Sequence, residues 1–217
     1  MAALHLTASV ETFEPGGRLE TAPTLATAVY VVEGNLRADG SGQSASLAAN
    51  SAISLDGETA LHSREGATAL RWDLIDRPYP LPDQRRERAA SRLLLSTQLD
   101  FDTEKGRLLR CDRVEFPPGG VAYLHTHRGP GIRVLLSGSI RIDTGGKSHE
   151  YGPLEAWYES GPEPVFAAAS QTEPTAFARL MILPVSLIGQ SSIRYEREED
   201  REKPKPQRYQ VYLDRPL

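Results

Sequence analysis

The chain has 217 residues, of which 39% are apolar and 25% charged, a balance that excludes wholesale disorder and leaves enough apolar surface for one large or two small cores. A net charge of −4 and a pI near 5.8 give no electrostatic reason to expect nucleic acid. The single cysteine, Cys111, cannot close an intramolecular disulfide, the N-terminus MAALHLTASV lacks a basic region followed by a long apolar one, and no apolar run is long enough to span a membrane. The expectation is a cytoplasmic protein.

Eighteen glycines and 16 prolines predict short strands separated by turns, and hence an all-β architecture. Along the chain these strands recur. VETFEPGG (10–17) is matched by RVEFPPGG (113–120), and VYVVEGNLRADG (29–40) by VLLSGSIRIDTGG (134–146). Gly34 and Gly138, Arg37 and Arg141, and Gly57 and Gly161 pair at one offset of 104 residues, and TALRWDLI (68–75) resembles TAFARLMI (175–182). Two copies of one β unit are therefore expected. Between them, DRPYPLPDQRRERAASR (76–92) reads as a proline-rich, charged linker ending in a short helix over RRERAASRLLL. After Pro184, REEDREKPKPQR reads as a solvated face, and RYQVYLD as a strand closing one sheet edge.

The chemistry concentrates in the second copy. Strand alternation places Val121, Tyr123, His125 and His127 on one face, where two imidazoles can converge on one ion. The surrounding pattern, PPGG, four residues, HTH, a Gly-Pro-Gly turn and then SGSIRI, resembles the first motif of the cupin superfamily. YGPLEAWYESGPEP resembles its second motif through Gly161. The resemblance implies two tandem double-stranded β-helix (jelly-roll) barrels, a bicupin. It implies a degenerate N-terminal barrel over 1–78, a charged linker over 79–95, a C-terminal barrel carrying the site over 96–185 and a tail over 186–217.

The departures from the family pattern shape the functional expectation. The glutamate slot of the first motif holds Gly131, and the histidine slot of the second holds Pro164. In the first copy Ala22 and Thr24 replace the two histidines, and His62 reads as a core or rim histidine. Parity from Gly131 turns Arg133 into the same lumen, where it needs an anion, and Glu159 is expected either as that partner or as a third metal ligand. Three readings follow. The leading one is a metal-dependent dioxygenase, lyase or isomerase acting on a small carboxylated molecule. Its divalent transition metal (Fe, Mn, Zn or Ni) rests on His125, His127 and Glu159, Arg133 holds the substrate carboxylate, and Tyr123 and Trp157 form the walls. The second is a metal-free epimerase or isomerase with a histidine base. The third is a non-catalytic bicupin that binds or senses a small anion. All three expect a monomer or homodimer with neither nucleic-acid nor membrane partners.

Overall fold

Strands dominate the computed structural model, which describes residues 3–77, 84–101 and 106–217. The chain divides into two compact units, Met1–Leu99 and Asp100–Leu217. Among the described residues no helix is long and apolar enough to cross a membrane.

The first unit contains β1 (Leu4–Glu20), β2 (Thr24–Gly40), β3 (Gln43–Ala48), β4 (Ser51–Gly57), β5 (Ala60–His62), β6 (Ala67–Ile75) and β7 (Arg85–Leu99). Two of these strands are long enough to serve two layers. The first half of β1 pairs with β6 and its end with β5, while β2 pairs first with β4 and β6 and then with β3 and β5. The resulting layers run β7-β1-β6-β2-β4 and β7-β1-β5-β2-β3. Phe13, Leu19, Val29, Val31, Leu55 and Leu61 belong to the core between them.

The second unit uses the same plan with the long strands cut in two. Its strands are β8 (Arg107–Phe116), β9 (Val121–His127), β10 (Gly131–Ser137), β11 (Ile140–Thr144), β12 (Lys147–Tyr151), β13 (Ala156–Glu159), β14 (Val165–Ala169), β15 (Thr175–Pro184), β16 (Ile193–Tyr195) and β17 (Arg208–Pro216), with a short helix α1 (Glu198–Glu202) between the last two. They form two five-stranded sheets, β17-β8-β15-β10-β13 and β16-β9-β14-β11-β12. Strand for strand this is the order of the first unit, so the repeat in the sequence is a repeat in topology. Gly34 and Gly138 mark the same bend, with φ of +79° and +73°. A Cβ on either would meet the backbone opposite, that of Gly66 or Pro174, so glycine answers both the dihedral and the close approach.

Three expectations change. Residues 79–83 of the expected linker lie outside the described residues, but 85–95, expected as linker and short helix, belong to β7 and pair with β1. The unpaired edge of β1 offers a long row of backbone donors and acceptors, and pairing overrides the helix propensity of RRERAASR. The segment expected as a tail over 186–217 completes both sheets, β16 beside β9 and β17 beside β8, and RYQVYLD, within β17, closes a sheet edge as expected. The match of β6 to β15 also shifts by one residue. Arg71 pairs with Val29 and Ser9, and Arg179 with Arg133 and Asp112, so Arg71 corresponds to Arg179.

Candidate metal centre and cavity

His125 and His127 close β9, and the alternation that leads to them is broken by a bulge. His125 faces Val165 on β14, yet Ala122 faces Ala167, so β9 spends one extra residue between the two pairs. Parity reverses there. Ala122 packs in the core, and Tyr123, expected to line the lumen, turns out under the ammonium of Lys203 at 4.9 Å. Both histidines remain inside and buried.

Gly131 occupies β10 directly opposite Glu159 on β13, and Arg133 lies opposite Trp157. A Cβ at Gly131 would strike the carbonyl of Leu180, so a side chain has no room at the position where the sequence lacks its acid. The carboxylate comes instead from the neighbouring strand. One oxygen of Glu159, Oε1, accepts a hydrogen bond from Trp157 Nε1 at 2.9 Å. The other, Oε2, lies 2.6 Å from Arg133 Nη2 and 3.5 Å from His127 Nε2. The arginine contact lacks hydrogen-bond alignment, so Oε2 is buried and accepts no hydrogen bond from the described residues. His125, His127 and Glu159 each bring one donor atom within 4.8 Å of the others.

The imidazoles are held in the form a metal requires. His125 Nδ1 is 2.7 Å from the Tyr123 carbonyl, which can only accept, so this nitrogen carries the proton and Nε2 keeps its lone pair. His127 Nδ1 contacts Ser192 Oγ at 3.3 Å, leaving its Nε2 toward Glu159. Burial pushes His125 below the ordinary imidazole value despite Glu159 and the Tyr123 carbonyl. It pushes His127 well below, with the cations Arg133 and Arg179 adding to the effect. Arg133 is fully buried, donates to the Gly131 carbonyl at 2.7 Å, and is drawn down to about 10 by burial, against the pull of Glu159. Trp157 is a core residue edge-on to Phe177 and a support for Glu159.

A cavity of about 540 Å³ adjoins His127 and is lined by Arg110, Asp112, Arg179, Ser192, Tyr195, Lys205, Tyr209 and neighbouring residues. Tyr123, Arg133 and Trp157, expected to bind substrate, are not among its lining residues. Each arginine there has its own carboxylate. Arg179 holds Asp112 through two hydrogen bonds of 2.6 and 3.0 Å, and Arg110 holds Asp214 at 2.9 Å. Burial works to lower the Arg179 value, but Asp112 overrides it and holds the guanidinium above its usual range. The sequence offered one overlooked signal for this wall, a lone arginine inside the apolar stretch FARLMIL. Ser192, Tyr195, Lys205 and Tyr209 come from the segment read as tail and had none. His62 is half-buried in the first unit, and His149 is exposed, its ring tilted against that of Tyr151 with centres 4.5 Å apart.

No protein-family model and no curated protein matches the sequence. Solved structures do match the fold. AerE from Microcystis aeruginosa is 12% identical, with 82% of this chain aligned to 88% of that one at a TM-score of 0.61. Oxalate decarboxylase from Bacillus subtilis, a protein with Mn(II) centres, is 13% identical, with 88% of this chain aligned to 71% of that one at a TM-score of 0.62. A mutant of the same decarboxylase aligns over 91% of this chain and 73% of its own at a TM-score of 0.65.

Proposed function

The chain has the two-domain cupin fold, and from that premise we propose that its second barrel is a metal-dependent catalytic site for a small carboxylated molecule. The observation that carries the reading is the buried convergence of two neutral imidazoles and a carboxylate whose Oε2 accepts no hydrogen bond from the described residues. Two nitrogens and one oxygen suit Fe, Mn, Zn or Ni, and three protein ligands leave open positions for substrate. A divalent ion held there would supply Lewis-acid polarisation of a substrate oxygen.

The chain's own residues divide the remaining work. Trp157 fixes Glu159 through Oε1, so that Oε2 points at the histidines. The Tyr123 carbonyl and Ser192 orient the two rings. Without an ion the buried charges sum to zero, since Arg133 and Arg179 balance Glu159 and Asp112. A bound dication would leave this pocket positive, a condition that favours an anionic substrate. Arg133 pairs with Glu159 at 2.6 Å and does not line the cavity beside His127, so in this reading it acts through Glu159. On a small carboxylated molecule, an oxygen polarised in this way would serve decarboxylation or other lyase chemistry, isomerisation or dioxygenation.

The contact between Arg133 and Glu159 Oε2 favours a second reading, in which the pair remains intact without metal and His127 acts as a general base. Elemental analysis of untagged protein separates the two. The metal reading expects about one transition-metal ion per chain, lost in His125→Ala/His127→Ala. Equal, near-zero metal in both proteins removes it.

A further inference from the structure

Among the described residues, the cavity beside His127 has one cation with no carboxylate partner. Arg110 and Arg179 are each committed to an aspartate, whereas Lys205 pairs with no carboxylate among the described residues. Its ammonium donates to the carbonyls of Arg201 and Lys203 at 2.6 Å each, and sits 4.6 Å from the ring centre of Tyr195. Two carbonyls and a π face hold the charge in place without cancelling it, and one N–H remains for a ligand. Tyr195 pairs with His125 across β16 and β9, and its ring centre lies 6.4 Å from that imidazole. One aromatic ring therefore separates the lysine from the histidine pair.

We propose that Lys205, presented by the C-terminal segment, is the carboxylate anchor of this cavity. The ligand is a small monocarboxylate whose apolar body lies along Tyr195 and Tyr209 and whose far end reaches the histidines. The charge on the wall supports a single anionic group, since three cations there face two aspartates. The aromatic and aliphatic lining, Tyr195, Tyr209, Ile193 and Val211, matches an apolar body rather than a polyol. The inference rests on the functional reading above for what happens at the far end, but the anchoring step itself does not require the metal.

Calorimetric titration with phenylacetate, cyclohexylacetate and hexanoate, each beside its neutral amide, tests the assignment on the full chain. At least one acid should bind wild-type protein more tightly than its amide. Lys205→Gln should weaken that acid about tenfold or more while leaving the amide unchanged, and Lys205→Arg should restore most of the loss. Circular dichroism of unliganded Lys205→Gln should match wild type. The proposal is overturned if none of the acids binds, or if Lys205→Gln binds acid and amide as wild type does. In His125→Ala/His127→Ala the difference between acid and amide should persist. If metal analysis gives near-zero metal while that difference stays dependent on Lys205, the metalloenzyme reading fails and the anchor stands.

Discussion

The two barrels share a strand order but fill equivalent positions with opposite chemistry. The sequence repeat matches His125 and His127 to Ala22 and Thr24, and strand pairing aligns Arg133 with Val29, Trp157 with Ile53, and Glu159 with Leu55. Val29 and Leu55 are fully buried in the first core, where the second barrel has a cation and a carboxylate. One pair escapes this contrast, since Arg71 and Arg179 are both buried arginines, on the corresponding strands β6 and β15. Arg71 meets Glu11 at 2.8 Å and Asp73 at 2.9 Å, and Thr27 donates to Asp73 at 2.7 Å. Among the described residues Arg179 meets only Asp112 in this way, and the cavity lies beside it. The difference teaches that one scaffold carries a buried cluster of an arginine between two carboxylates in one copy and, in the other, two imidazoles and a carboxylate beside a cavity.

The comparison is broken most sharply at Arg71. Arg71→Met leaves Glu11 and Asp73 buried without their cation and should cost the first barrel about 3–5 kcal/mol. Urea unfolding followed by Trp72 fluorescence, in a background where Trp157 is phenylalanine, measures this. A loss below 1 kcal/mol would mean the cluster contributes no more than a surface ion pair. A smaller effect is expected on the other side of the contrast. Trp157→Phe keeps an aromatic ring against Phe177 but removes the hydrogen bond that aims Glu159, so metal affinity should fall about 10–100-fold with the fold intact. Competition with a chromogenic chelator reads the change, and unaltered affinity would remove Trp157 as the residue that positions the carboxylate.

The smallest effect is in pH dependence. Burial holds both histidines below their ordinary value in the folded chain, so the unfolded chain binds protons first on acidification. Their contribution to stability is present in full above the unfolded value of about 6.5 and declines as pH falls from there toward the lower folded values. Metal-free wild type should therefore lose thermal midpoint faster than His125→Ala/His127→Ala across that window. Parallel slopes would show that the histidines are as free to protonate as in the unfolded chain. The first barrel, with Ala22 and Thr24 in their place, adds nothing to this difference.

Much of the architecture was legible beforehand because glycine turns and β alternation are local signals. Gly34 and Gly138 announced the shared bend, and the HTH stretch announced the inward pair. Tyr123 was misplaced because a bulge is decided by the neighbouring strand, and the alternation of VAYLHTH carries no mark of it. Residues 85–95 were misread for a similar reason, since the edge of β1 outweighs the local helix preference. Arg133 was rightly turned inward, yet its pairing with Glu159 at 2.6 Å and its absence from the cavity lining are tertiary facts.

By itself the sequence determined the class of fold, the duplication, and the second copy as the one that holds the candidate site, because period, spacing and residue type are properties of the chain taken locally. Only the tertiary structure decided that Glu159 stands opposite Gly131, that Arg71 corresponds to Arg179, and that Lys205 reaches a cavity beside His127. Those are contacts between residues distant in sequence. Strand register and side-chain packing create them, and no local pattern encodes either.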